Sequence, residues 1–216
     1  MLSDPRAVAA RWPEPRLRAL AEIAVTVTEA PWALSRERIG RALSDDDIVH
    51  AVALAAYFGH LNRIADAVGV PLDYRVKQPP APIEPNVPPY VPAPTTIASA
   101  PVLSRTTTAT ALEAWTRYVM DRDARLRRAQ RAMIARRVGQ LTGLEIVGGS
   151  PSTAIDHELL ALADQITLAP WRLSAQTFAP LRAAGFDDAA LFDACVTATT
   201  AGVTARIGVA LAALAD

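Results

Sequence analysis

Three side chains that could perform acid–base chemistry occur within one seven-residue segment, at Tyr57, His60 and Arg63. Spacings of three residues place side chains on one face of an α-helix, so a phenol, an imidazole and a guanidinium could converge there. A nearby arginine favours the neutral imidazole, and a neutral imidazole can act as a general base. The segment therefore indicates a candidate catalytic site for a small organic acid, with His60 as the base and Arg63 holding a carboxylate.

The remaining reactive residues give weaker signals. Cys195 is the only cysteine, which excludes a disulfide or a two-cysteine redox pair within the chain, and its Ala-rich context predicts a small buried hydrophobe. His50 and His157 lie near acidic residues at helix starts, where we expect them to be solvated. No spacing of His, Asp and Glu indicates a set of metal ligands, so the sequence predicts neither a metal nor a cofactor.

An arginine-rich stretch follows the middle of the chain. Eight arginines lie between Arg117 and Arg137, against only three acidic residues nearby. One interpretation is a nucleic-acid surface; the other is a solvated helix face whose arginines pair with acidic residues of a neighbouring element. We favour the second, with no nucleic-acid partner, because the chain has 22 basic and 22 acidic residues and the stretch lacks interleaved aromatic residues.

A short segment occurs twice, as Ala-Pro-Trp-Ala-Leu-Ser at 30–35 and Ala-Pro-Trp-Arg-Leu-Ser at 169–174. Each copy precedes a short amphipathic stretch, an acidic helix start and a long Ala-rich helix. Allowing four extra residues in the second copy, Arg63 aligns with Arg206, whereas His60 aligns with Val203. Repeats of this kind usually share a core. The recurrence also supports an alternative in which Arg63 is architectural, pairs with Asp66 or Asp47, and His60 is hydrogen-bonded at a helix interface.

Helical periodicity extends over most of the chain, and no segment shows strand alternation, so the sequence predicts an all-α protein. Capping residues and glycines set the expected bounds. We expect the helix from Ser44 to about Val68 to be central, because it is apolar on most of its circumference, and Trp32 and Trp171 to be anchored in the core. The other predicted helices cover 14–28, 35–43, 108–141 with a break near 121–123, 154–168, 174–185 and 187–214.

Residues 78–101 include nine prolines and should form an extended strap or linker. This segment separates a first helical half-unit (1–77) from a second, more complete unit (102–216). The chain shows no signal peptide and no uncharged apolar run of membrane-spanning length, which predicts a cytoplasmic protein without membrane partners. The large excess of Arg over Lys is typical of a GC-rich bacterial genome.

The order of these elements resembles the alkylhydroperoxidase D-like, or carboxymuconolactone decarboxylase, superfamily, and in particular its peroxidase-related branch. The segments that carry the resemblance are Ala-Ala-Tyr-Phe-Gly-His-Leu-Asn-Arg-Ile-Ala-Asp-Ala-Val-Gly-Val (55–70) and Leu-Arg-Ala-Ala-Gly-Phe-Asp-Asp-Ala-Ala-Leu (181–191). The resemblance implies a two-repeat helical bundle that forms homo-oligomers. It also implies a Cys-x-x-Cys redox centre at a helix start, with an acidic residue upstream and a His downstream.

None of those redox residues is present in this chain. The two cysteine positions correspond to Leu144 and Val147, the acidic position to Ala132, and the His position to Ser150-Pro151. Leu and Val cannot supply a thiolate or a resolving thiol. We therefore expect a degenerate member that acts as a binding or structural oligomer, open to a small-molecule ligand. The alternative is a cysteine-independent enzyme, with decarboxylase or lactone-type chemistry, that uses His60, Arg63 and Tyr57.

Overall fold

A computed structural model describes residue 7 and residues 9–70 and 106–215; the proline-rich segment 78–101 lies outside the described residues. Within the described part of the chain the protein is helical and has no strand, which confirms the all-α prediction. The helices are α1 (Pro15–Glu29), α2 (Arg36–Ile39), α3 (Asp45–Val68), α4 (Thr106–Met120), α5 (Arg128–Thr142), α6 (Ala154–Leu168), α7 (Ala175–Ala183) and α8 (Asp188–Ala213).

Local capping chemistry explains most helix ends. Helix α3 begins with a reciprocal pair in which the Asp47 amide donates to Ser44 Oγ and the Ser44 amide donates to the Asp47 carboxylate. It ends at Gly69, whose φ of 68° lies in the left-handed region. Helix α2 is shorter than predicted, because Gly40 takes a φ of 70° and ends it at Ile39. The predicted break between α4 and α5 is confirmed, at residues 121–127.

The central helix is α8, so the prediction that α3 would be central is wrong. Nineteen of the 26 residues of α8 are buried, and α3, α5 and α6 all pack on it. Its Ala, Gly and Thr residues let neighbouring helices approach from every side. Helix α3 carries larger apolar residues and buries only one side. Helix α8 is long and apolar enough to cross a membrane, yet 89% of its most apolar window is buried inside the protein, as in a core helix.

The two copies of the Ala-Pro-Trp segment adopt the same backbone conformation. Ala30 and Ala169 have φ/ψ of −151°/70° and −147°/60°, and each precedes a three-residue 3₁₀ turn. The first turn contacts α8 and the second contacts α3. Each turn buries its proline. Trp171 is 51% exposed, so the prediction that it is anchored in the core is wrong. Trp32 is partly buried and packs against a buried cluster that includes Ala205.

Two apolar clusters meet on α8. One joins α5, α6 and the first half of α8 around Ile134, Leu159 and Ile166. The other joins α1, α3 and the second half of α8 around Ile23, Val52 and Ile207. Of the candidate site residues on α3, His60 is buried, Arg63 is partly buried and Tyr57 is half exposed.

Candidate functional site

His60 lies inside the interface that α3 makes with α4 and α8. It is 6% exposed, its ring stacks on Tyr57 with centroids 6.0 Å apart, and it meets the ring of Trp115 edge-on at 6.3 Å. Burial lowers the pKa of His60, and a hydrogen bond with the backbone of Thr199 offsets part of this effect. The imidazole is therefore neutral near pH 7. Its Nδ1 is buried and has no hydrogen-bond partner.

Arg63 does not form either of the expected ion pairs. Asp47 is engaged by Arg16, with Nη2–Oδ1 and Nη1–Oδ2 distances of 3.0 and 3.1 Å. Asp66 acts on Arg63 only through its charge, without an ion pair. Arg63 Nη1 instead donates to the carbonyl of Gly59, four residues earlier, at 2.9 Å. The structure thus brings Tyr57 and His60 into contact and directs the Arg63 guanidinium back along its own helix.

Three cavities in the described part of the chain lie away from Tyr57, His60 and Arg63. One lies beside α1 and α2, one beside α2 and the start of α3, and one near Cys195. His60, at 6% exposure, is packed between helices. A general base must reach the proton that it abstracts, so this packing favours a structural or binding role for the cluster over acid–base catalysis.

Cys195 is a buried core residue, as predicted. It is 2% exposed, and burial raises the pKa of its thiol to about 12. It contributes to the wall of a groove of about 440 Å³ between the end of α3, α7 and α8. A thiol with such a pKa holds almost no thiolate at neutral pH, and the thiolate is the nucleophile. Cys195 is thus unsuited to peroxide chemistry.

Leu144 and Val147, which the resemblance aligns with Cys-x-x-Cys, lie in the loop between α5 and α6. Leu144 is 9% exposed and Val147 is 94% exposed, so one side chain is buried and the other is in solvent. Downstream, Ser150 accepts a hydrogen bond from Arg136 Nη1 at 3.0 Å.

The other histidines take no part in the cluster. His50 Nδ1 lies 2.7 Å from the carbonyl of Asp46, its side chain is 30% exposed, and His157 is exposed. Across residues 9–70 and 106–215, no group of three or more His, Cys, Asp or Glu residues could hold a metal ion.

The arginine-rich stretch pairs with acidic residues of neighbouring elements, in agreement with the favoured interpretation. Arg122 and Arg131 both contact Asp193 on α8, Arg125 contacts Asp187 at the start of α8, and Arg137 contacts Asp164 on α6. These pairs neutralise much of the local positive charge that a nucleic-acid surface would need.

Arg131 departs from the expected solvated face, because it is 0% exposed. It donates to Asp193 Oδ2 at 2.6 Å, to Thr197 Oγ1 at 3.1 Å and to the carbonyl of Leu126 at 3.2 Å. This buried network joins α5 to α8. The sequence signal for it is Asp193 itself, the one acid of α8 beyond its first turn, since a buried carboxylate requires a cationic partner.

Comparisons of the chain with models of protein families, with curated proteins and with solved structures give no match. The fold class rests on the helices themselves, and function must be inferred from the chemistry of the residues described above.

Proposed function

We propose that this protein is a degenerate alkylhydroperoxidase D-like protein that binds or organises partners without thiol peroxidase chemistry. The proposal is supported by the absence of a cysteine at positions 144 and 147, and by the burial of Cys195 with its raised pKa. The matched series of a helix, a 3₁₀ turn, a short helix and a long helix, which occurs on both sides of α4 and α5, supports the two-repeat bundle that the resemblance implies.

An exposed apolar surface on α3 and α4 carries the proposal that the protein binds a macromolecule. Leu54, Tyr57, Phe58 and Leu61 lie on one side of α3 at helical spacing, and each is between 42% and 57% exposed. Trp115 and Tyr118 continue the surface onto α4 at 41% and 58% exposure. We call these six residues the aromatic face. Contiguous apolar surface rimmed by polar residues marks protein interaction sites, and Tyr and Trp are enriched there.

We assign a second copy of this chain as the occupant of the aromatic face, in keeping with the oligomers that the resemblance implies. Phe58 lies within the row, so Phe58→Asp would place a charge in the buried centre of the interface. Val147→Asp is the matched control, because Val147 is a lone exposed hydrophobe in a distant loop.

Light scattering coupled to size-exclusion chromatography measures the assembly directly. We expect an oligomer for the unaltered chain and for Val147→Asp, and a single chain for Phe58→Asp with an unchanged helical circular dichroism spectrum. An unaltered chain that elutes as a monomer at all concentrations would refute self-association. Hydroperoxide consumption that persists in Cys195→Ala would refute the loss of peroxidase chemistry.

A second candidate function is cysteine-independent acid–base catalysis on a small organic acid in a cytoplasmic protein. The observation that favours it is the neutral His60 imidazole, whose buried Nδ1 lacks a partner. Turnover of a lactone or carboxylic acid that is lost in His60→Gln, with the oligomeric state unchanged, would support it. Loss of turnover together with loss of oligomerisation would assign His60 to the interface.

A further inference from the structure

A Gly-x-x-x-Arg pattern occurs on both long helices and folds in the same way each time. Arg63 Nη1 donates to the carbonyl of Gly59 at 2.9 Å, and Arg206 Nη1 donates to the carbonyl of Gly202 at 3.4 Å. A Cβ atom built at either glycine would lie 2.8 Å from the Nη1 of its arginine. Each guanidinium therefore curls back over its own helix into space that only glycine leaves open.

Neither guanidinium meets a carboxylate in the part of the chain that the structure describes. The Nε of Arg63 and the Nε of Arg206 are both buried without a hydrogen-bond partner, and Arg206 is 5% exposed. Burial lowers the pKa of Arg206, and the positive charge of Arg63 lowers it further. Two like charges thus lie near each other at the α3–α8 interface.

Arg131 is a buried arginine with a structural role and differs from Arg63 and Arg206 in having a carboxylate partner. It is 0% exposed and meets Asp193 through a 2.6 Å hydrogen bond. An unpaired buried charge is costly, and arginine cannot escape the cost by releasing its proton. A counter-ion is the remaining way to relieve the repulsion between the Arg63 and Arg206 guanidiniums.

We propose that Arg63 and Arg206 together bind a small oxyanion, a carboxylate or a phosphate, between α3 and α8. Guanidinium N–H groups match the paired oxygens of such anions, and charge-assisted hydrogen bonds are the strong ones. The two unpartnered Nε groups are donors ready for it. Arg63 is partly exposed and Arg206 is buried. This site does not depend on self-association through the aromatic face.

Isothermal titration of the full chain with inorganic phosphate, and separately with succinate, tests the proposal at constant ionic strength set with chloride. We expect saturable binding of one anion per unaltered chain. The Kd should be at least tenfold higher in Arg63→Met and in Arg206→Met. Arg117→Met is the matched control, because that arginine is 67% exposed and pairs with Glu113 on its own helix. Its Kd should equal that of the unaltered chain.

The Met variants should remain folded, because an apolar side chain of similar length removes an uncompensated buried charge. We expect the melting temperatures of the Met variants in chloride to equal or exceed that of the unaltered chain. Phosphate should raise the melting temperature of the unaltered chain and leave those of the Met variants unchanged. Binding of phosphate alone would assign the site to phosphates, and binding of succinate alone would assign it to carboxylates.

Two outcomes would overturn the proposal. One is equal binding in the unaltered chain and in the Arg63→Met/Arg206→Met double variant. The other is no binding of either anion to the unaltered chain.

Discussion

Breaking the buried contact between Arg131 and Asp193 should cause a large loss of stability. Asp193 is 8% exposed and accepts hydrogen bonds from the fully buried Arg131 and from Arg122. Asp193→Ala leaves the Arg131 charge inside the α5–α8 interface without a carboxylate. Removal of one partner from a buried ion pair costs about 3–5 kcal/mol. For a chain of 216 residues, each kcal/mol lowers the melting temperature by about 2–4 °C, so we expect a decrease of about 6–20 °C.

Urea unfolding followed by far-ultraviolet circular dichroism measures this loss of stability. The dependence of the unfolding free energy on urea concentration should be the same in the variant and the unaltered chain, which shows that both expose the same surface on unfolding. Asp164→Ala is the matched control. Its pair with Arg137 is about one-third exposed on each side, so its loss should cost about 1 kcal/mol or less. A cost below about 1 kcal/mol for Asp193→Ala, or equal costs for the two variants, would refute the assignment of a buried, desolvated pair.

Three further predictions concern single side chains. Because burial lowers the pKa of His60 below its ordinary value of 6.5, the unfolded chain takes up a proton at His60 as the pH falls from about 7 to about 5 while the folded chain resists it. The free energy of unfolding should therefore decline over this range, and decline less in His60→Gln; equal declines would contradict the burial. The thiol of Cys195, with its pKa of about 12, should react with Ellman's reagent far more slowly in the folded chain than in urea. Rapid labelling of the folded chain would contradict this. Leu181→Ala should cost about 2–5 kcal/mol in urea unfolding, since Leu181 is 1% exposed, and Trp171→Ala should cost less because Trp171 is 51% exposed; the reverse order would place Trp171 in the core.

The sequence was sufficient to predict the helices, because their ends depend on local chemistry. Ser44 and Gly69 mark the bounds of α3, and Asp187 caps α8 through the amide of Ala190. The sequence was not sufficient to predict which helix is central. Helices α3 and α8 are both apolar around most of their circumference, and the choice depends on how many neighbours each can accommodate. Small side chains such as Ala201 and Gly202 let α8 accept neighbours on more sides, whereas Leu54 and Phe58 of α3 are more than half exposed.

The candidate site was predictable only in part. Helical spacing correctly placed Tyr57 against His60, and the repeat correctly aligned Arg63 with Arg206 on equivalent turns of two helices. Periodicity within one helix cannot show which residues of other helices contact His60. The contacts of His60 with Trp115 and with the backbone of Thr199 were therefore not predicted. It also cannot show whether an arginine finds a carboxylate. The expected partner Asp47 is held by Arg16, which lies on a different helix.

We propose that this protein assembles through the aromatic face and does not use thiol chemistry. Native mass spectrometry of the gently purified full chain reports on both. We expect a mass of at least twice 23.0 kDa, with Cys195 unmodified, and a single 23.0 kDa chain for Phe58→Asp. A spectrum of single chains for the unaltered protein, or an assembly that Phe58→Asp leaves intact, would contradict it.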